Sequence, residues 1–286
     1  MISPYVRRLR LAAELRALRA EVHLTHEQLS KRSGESRAQI SRLENGHLVD
    51  QASVMNILDA LNVDGDRWTQ MMTITREAAE KGWWESTRGM GDRQALYANL
   101  EAGATSIREY QQTFVPGLLQ VPEFVRARWD ADATLGPMPV TIEGVVEGNA
   151  GRQRMLRRPG APTYEVIIDE VAIRRLSAPP DVFKKQLYHL ATVVNGDPKL
   201  SLRVLPIDAR IPGYTVPRCT FSLYTYADPG DPSVAAADSV TSDLVLTEPA
   251  DVTPYEHLYT RLREAALPQN DSLDLLTKAA TELPED

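Results

Sequence analysis

One short segment carries four basic or small residues at steps of three and four positions: Arg37, Ala38, Ser41 and Arg42. On a helix, such steps place side chains on one face. Arginine can hold O6 and N7 of guanine with two hydrogen bonds, serine can reach either kind of base, and alanine can pack on a thymine methyl group. The segment therefore predicts a helix suited to the major groove of DNA, although a solvated arginine face on a small helical bundle would give the same periodicity.

Residues that could carry out catalysis or bind a metal are few and scattered. His189 and His257 are isolated, each on a predicted helix, where a surface or core role is the ordinary one. Asp169 and Glu170 could bind a cation, but no paired histidines, calcium loop, phosphate-binding loop or dinucleotide fingerprint accompanies them. Cys219 is the only cysteine, which excludes an intrachain disulfide and a cysteine zinc cluster. We therefore expect no enzyme, no metal and no cofactor.

Caps and apolar spacing predict the helices that position the four residues. A first helix has an apolar stripe at Leu11, Leu15, Leu18 and Val22. Thr25 begins a second helix, with Gln28 in the capping-box position. Gly34 can form the tight turn to a third helix that Ser36 caps and Asn45-Gly46 ends. A fourth helix follows Asp50, and a fifth spans about residues 66–81.

The run L-T-H-E-Q-L-S-K-R-S-G-E-S-R-A-Q-I-S-R-L-E-N-G, residues 24–46, resembles the Xre and phage-repressor helix-turn-helix signature. The resemblance implies an all-α, five-helix, phage-repressor-like domain that binds duplex DNA through residues near 6–64. It assigns base contacts to Arg37, Ala38, Ser41 and Arg42, phosphate contacts to His26 and Asn45, and a structural ion pair to Arg19 and Glu44. Many relatives have basic residues and a proline after the glycine. Residues 47–50 read H-L-V-D instead, so we expect weak backbone affinity there.

Charge is distributed unevenly along the chain. The 286 residues carry a formal net charge of −7, but the first 50 hold nine Arg or Lys against six Asp or Glu, a local excess of +3. Counterion release requires positive charge only where phosphates are contacted, so the local excess is what DNA binding needs. An acidic remainder would discourage non-specific wrapping of DNA.

Beyond the helical module, residues 1–81, the pattern changes. Residues 82–92 are rich in glycine and contain Trp83 and Trp84, which predicts a linker whose aromatic rings pack on a neighbour rather than bind a ligand. The periodicity of residues 93–286 favours an α+β domain. Helices are predicted near 93–113, 122–131, 140–157, 251–266 and 271–282, with another ending at 195–196; strands are predicted near 163–169, 200–206, 219–226 and 242–247.

Residues 93–282 resemble the C-terminal domain of unknown function that follows such helix-turn-helices in WhiJ-like actinobacterial regulators. The motifs that carry the resemblance are V-P-G-L-L-Q (115–120), G-R-Q (151–153), I-I-D-E-V-A-I-R-R (167–175), V-L-P (204–206), P-G-Y (212–214) and S-D-L (242–244). The resemblance implies a small partner protein of the BldB type. Because one short recognition helix reads only a half-site, we also expect a homodimer.

Two features of this domain could take part in regulation. Residues 205–217, which include Pro212 and Tyr214, hold three prolines and one glycine between two predicted strands. Such a loop can form the rim of a binding site, although a rigid surface connection is the simpler interpretation. Arg152 and Arg154 belong to a basic run that could receive an anion or an acidic partner, although surface ion pairing explains it equally well. Partner binding, small-molecule sensing and an antitoxin-like autorepressor all remain open.

The expected location of the protein follows from what its sequence lacks. No apolar run approaches the ~20 residues that cross a bilayer. Arg7, Arg8 and Arg10 lie near the N-terminus without the hydrophobic stretch of a signal peptide after them. We therefore expect a cytoplasmic protein that does not bind membranes.

Overall fold

The computed structural model describes residues 2–48, 50–239 and 242–284, so Val49 in the H-L-V-D loop lies outside the described residues. The chain forms two compact units. One comprises the chain through Glu85 together with Ala227–Pro232, and the other comprises the remaining described residues. The boundary after Glu85 falls within the predicted linker, and Trp83 and Trp84 belong to the first unit.

Five helices build the first unit: α1 (Pro4–Glu21), α2 (His26–Ser33), α3 (Arg37–Glu44), α4 (Gln51–Ala60) and α5 (Gly65–Ala78). Local side chains set their ends. Thr25 and Gln28 form the predicted capping box of α2, and Asp50 caps α4 by accepting the Ser53 N–H. Gly34 has a left-handed φ of 75° in the turn before α3, a conformation that glycine adopts without strain.

One apolar core joins all five helices of the first unit. Its buried side chains include Leu15, Leu29, Ile40, Ile57 and Met71, one from each helix. Since most helix stability in proteins comes from packing an amphipathic face, this core holds the short helices α2 and α3 in place.

The segment Ala227–Pro232 belongs to this unit through ion pairs with α1. Arg10 Nη1 lies 2.8 Å from Asp228 Oδ2, and Arg7 Nη1 lies 3.0 Å from Asp231 Oδ1. A side chain at Gly230 would overlap the Arg10 guanidinium and would have to displace it.

The second unit is built on a six-stranded mixed sheet in the order β3-β2-β1-β4-β5-β6. Its strands are β1 (Ala104–Gln111), β2 (Thr163–Asp169), β3 (Leu200–Leu205), β4 (Phe221–Tyr226), β5 (Val234–Ala237) and β6 (Leu244–Leu246). Strands β1, β2 and β3 run parallel, whereas β4, β5 and β6 pair antiparallel with their neighbours.

Helices cover the sheet and give the expected α+β architecture. They are α6 (Asp92–Glu101), α7 (Pro122–Ala133), α8 (Ile142–Leu156), α9 (Glu170–Arg174), α10 (Pro180–Val193), α11 (Pro249–Ala265) and α12 (Gln269–Thr281). On one face, Tyr259 and Leu262 of α11 pack in a core with Tyr110, Phe221 and Leu223 of the sheet. Among the described residues, no helix combines the length and apolar character of a membrane span.

The opposite face of the sheet buries a polar cluster. Glu109 of β1 accepts hydrogen bonds from the Tyr164 hydroxyl and from Gln111 Nε2, the latter at 2.5 Å. Burial raises the pKa of Glu109 and outweighs these two hydrogen bonds, which favour the ionised form. Nearby, Arg152 of α8 contacts Glu101 of α6 through both Nε and Nη2.

The helix predicted over residues 93–113 is wrong in its second half. Helix α6 ends at Glu101, Gly103 follows with a φ of 80°, and the chain then enters β1. β1 lies between β2 and β4, so its conformation depends on strands 50 and more residues away in sequence. The sequence also missed β5 and α9, which are only four and five residues long and carry little periodic signal.

Candidate nucleic-acid interface

Helix α3 exposes the four residues that the sequence assigns to bases. Its inner face buries Ile40 and Leu43 completely or nearly so, which fixes the rotation of the helix about its axis. The residues on the outer face are Arg37, Ala38 and Arg42, which are exposed, and Ser41, which is half-buried. In the described part of the chain neither arginine makes an ion pair, so both guanidinium groups are available to a ligand.

The position of α3 is fixed by one buried carboxylate. Glu44 is only 4% exposed and accepts hydrogen bonds from Arg19 Nε and Nη2 at 2.7 and 2.8 Å. Burial alone would raise the pKa of Glu44, but the bonds from Arg19 and His26 outweigh it and hold the pKa below its ordinary value. The carboxylate is therefore charged, and it ties α3 to both α1 and α2.

The residues predicted to contact phosphate are already engaged within the protein. His26 Nε2 lies 2.9 Å from Glu44 Oε2, and because an ionised carboxylate only accepts, this nitrogen carries the proton. Asn45 Nδ2 donates to the Ser41 carbonyl at 2.6 Å and so closes the end of α3. A phosphate contact from His26 would use the other ring nitrogen or the backbone N–H at the start of α2.

Two further contacts that the sequence did not predict hold the motif together. Arg16 donates to the Glu44 backbone carbonyl and so caps the C-terminal end of α3. Glu35, in the turn, accepts hydrogen bonds from Ser53 and Asn56 of α4, both at 2.9 Å. Both interactions join residues far apart in sequence, which a local pattern does not reveal.

Arg7 and Arg10 do not belong to the DNA-facing charge. Their side chains are only 8% and 7% exposed and pair with Asp228 and Asp231, and Arg7 also pairs with Glu77 at 3.0 Å. The local excess of +3 counted these two arginines, so the positive charge that can reach phosphates lies mainly on α2 and α3.

The regulatory residues predicted in the second unit have different surroundings from one another. Arg152 is not a surface cation, because its side chain is only 12% exposed and pairs with Glu101. Its role is therefore to neutralise a buried carboxylate in the core. Arg154, two residues later, is exposed. Pro212 and Tyr214 lie on an exposed turn, where Tyr214 is 96% exposed with a φ of 54°. A tyrosine this exposed is available for binding.

Comparison with known families agrees with this division of the chain. A helix-turn-helix family model matches residues 15–68, which include all of α2, α3 and α4. The model of a domain of unknown function, DUF5753, matches residues 94–278, more than half of the chain. No curated protein and no solved structure matches the chain. The protein therefore belongs to the DUF5753 family and is a helix-turn-helix regulator.

Proposed function

We propose that the protein is a sequence-specific transcription regulator that reads DNA bases with the outer face of α3. The observation that carries the proposal is the contrast between the two faces of this helix: Ile40 and Leu43 are buried, whereas Arg37 and Arg42 are exposed and make no ion pair among the described residues. Two unpaired guanidinium groups five residues apart on the outer side of one helix suit guanine edges in a major groove. Such a regulator acts in the cytoplasm, where it reaches the chromosome.

A single α3 reads only a few base pairs, so the proposal includes a homodimer on DNA. Two copies related by a two-fold axis would place two α3 helices in successive major grooves. The second unit would then supply dimerisation, partner binding or both, rather than catalysis.

The first test measures DNA binding by single-residue variants. We expect Arg37→Ala and Arg42→Ala each to lose roughly 1–3 kcal/mol of specific binding, because each removes a two-pronged contact with a base. Fluorescence anisotropy with a genomic fragment selected by the wild-type protein gives the affinities. The matched control is Arg76→Ala, which removes one exposed positive charge from α5 of the same unit. Equal affinity for all three variants would contradict the proposal.

A partner protein is the first candidate for what the second unit binds. The loop between β3 and β4 exposes Ile207, Tyr214 and Val216 by 76%, 96% and 74%. Exposed apolar side chains on one loop can contribute to an interaction surface when they form one patch. The WhiJ-like resemblance adds that the partner would be a small protein of the BldB type. Co-purification with wild type but not with Tyr214→Ser would support this role.

Small-molecule sensing is the second candidate, and a different observation favours it. The second unit contains a cavity of about 320 Å³ between its sheet and two of its helices. Ligand cavities usually measure about 300–1,000 Å³ and have mostly apolar walls with a few polar groups.

A further inference from the structure

Two helices and two strands contribute to the cavity of the second unit. Leu156 of α8 and Val193 of α10 form apolar walls, and Tyr164 of β2 and Leu200 of β3 come from the sheet. Tyr164 is 1% exposed, and its hydroxyl donates to Glu109, so its ring cannot turn into the space. Residues outside the α-helices and strands, among them Pro162, Gly196 and Asp197, complete the lining.

This cavity opens to solvent, because Arg157, Gly196 and Lys199 in its lining are exposed. Its volume of 320 Å³ corresponds to roughly ten water molecules at about 30 Å³ each. The lining contains both apolar and polar groups. The space therefore suits a small organic molecule that has an apolar body and a polar group.

The polar groups of the cavity give it a positive end. Arg157, which follows α8, lines the cavity and makes no ion pair or side-chain hydrogen bond among the described residues. Lys199 also lines it, but its Nζ donates to the Ala161 carbonyl at 2.9 Å. The one acidic residue in the lining, Asp197, accepts the backbone N–H of Lys199 at 2.9 Å. Arg157 is therefore the cation that a ligand can neutralise.

His189 lies on the same wall as Val193, one helical turn before it on α10. Burial lowers the pKa of His189, and the positive charge of Arg157 lowers it further. The imidazole is accordingly neutral near pH 7 and offers a hydrogen bond without a second charge. The cavity thus combines two cations, of which Arg157 has no bonded partner among the described residues, with one carboxylate, one neutral hydrogen-bonding ring and partly apolar walls.

We propose that this cavity binds a small organic monoanion, a carboxylate with an apolar body, whose carboxylate pairs with Arg157 and hydrogen-bonds to His189 while its body packs between Leu156 and Val193. Arginine suits this role because its planar fork matches the two oxygens of a carboxylate. The binding of this molecule can be tested independently of the proposed regulator function. Its role as an effector, in contrast, rests on that function.

Binding is tested on the full-length protein without DNA. The probe is 3-phenylpropanoate, and the matched neutral probe is 3-phenylpropanamide, which has nearly the same shape. Calorimetric titration at pH 7 should give one site per chain for the carboxylate and at least tenfold weaker binding for the amide. Methyl NMR spectra should show shifts at Leu156, Val193 and Leu200, which line the cavity.

Two variants separate the cavity from the rest of the surface. Arg157→Gln should weaken 3-phenylpropanoate binding at least tenfold and leave the amide unchanged. Arg154→Gln removes an exposed arginine from the same stretch of chain but outside the cavity lining, and it should bind both probes like wild type. Both substitutions lie on exposed positions, and circular dichroism verifies that the variants remain folded.

The possible outcomes distinguish this inference from the proposed function. Equal binding of the two probes, equal weakening by both variants, or binding of neither probe would overturn the carboxylate site, whatever DNA binding shows. If 3-phenylpropanoate binds as expected but neither Arg37→Ala nor Arg42→Ala affects DNA affinity, the site stands and the proposed function fails. A change in DNA affinity on adding the probe would identify the ligand as an effector.

Discussion

At the scale of single residues, two buried glutamates of the second unit have opposite surroundings. Glu101 faces Arg152, whose Nε and Nη2 contact its carboxyl oxygens, and burial and this guanidinium act in opposite directions on the pKa of Glu101. The two-pronged geometry favours the ionised pair. Glu109 instead faces Tyr164 and Gln111, which are neutral. Burial raises the pKa of both carboxyls, but only Glu101 has a cation in hydrogen-bond contact that opposes the rise.

Glu109 gives the protein a predictable pH dependence. Its pKa is raised in the folded state, so the folded protein holds a proton that the unfolded chain releases above about pH 4.3. Stability is therefore lost as the pH rises above that value. Glu109→Gln, which resembles the protonated acid, should gain stability relative to wild type as the pH rises from 5 to 8, because the amide has no proton to lose. Urea denaturation followed by circular dichroism measures the difference.

Glu101→Gln is the matched control for this prediction. It leaves Arg152 buried without a counter-charge and should cost about 3–5 kcal/mol at neutral pH. A constant difference between Glu109→Gln and wild type across pH 5–8 would show that Glu109 is ionised in the folded protein.

Sequence patterns predicted which face of a helix a residue occupies better than they predicted which distant residues it contacts. The outward position of Arg37 and Arg42 follows from helical spacing alone, because Ile40 and Leu43 mark the inner face. The burial of Arg152 could not be predicted in this way, since its partner Glu101 lies 51 residues away. The same applies to Arg7 and Arg10, whose acidic partners lie more than 200 residues away.

At the scale of elements, the sequence predicts what is encoded locally. The capping box at Thr25, the left-handed Gly34 and the Ser36 cap lie within a few residues of the helix ends they determine, and the structure has all three. β1 is different, because Ala104–Gln111 becomes a strand only by pairing with β2 and β4. Local periodicity therefore extended α6 too far.

The contacts of Glu44 make a prediction for the arrangement of α1, α2 and α3. Glu44→Ala should lower the free energy of unfolding by about 2–3 kcal/mol. Removing one partner of a fully buried ion pair costs about 3–5 kcal/mol. The cost here is smaller because the Arg19 side chain is 21% exposed. Tryptophan fluorescence in urea follows the first unit, which contains Trp68, Trp83 and Trp84, three of the four tryptophans.

Glu27→Ala controls for the loss of any glutamate near this motif. Glu27 pairs with Lys31 at 3.1 Å on the exposed face of α2, and such surface pairs contribute only about 0.3–0.5 kcal/mol. If Glu44→Ala and Glu27→Ala cost the same, Glu44 does not hold the three helices together.

At the scale of the whole molecule, we propose that one unit reads bases and that the other takes part in regulation. The first unit presents an eight-residue helix with two unpaired arginines, and the second presents a cavity with one unpaired arginine. The family matches divide the chain in the same way, at residues 15–68 and 94–278. The sequence predicted the five helices of the first unit because their signals are local, but it did not predict that Ala227–Pro232 belongs to the same unit. The cavity walls come from four separate elements, so no local pattern pointed to them.

The central claim is that α3 reads bases, and selection of binding sites from random DNA tests it most directly. The wild-type protein should select an inverted repeat whose half-sites are centred about 10–10.5 base pairs apart. Arg37→Ala and Arg42→Ala should each lose the preference at a different position of the half-site, whereas Arg76→Ala should select the wild-type sequence. Selection of the unchanged wild-type sequence by both α3 variants would contradict the account.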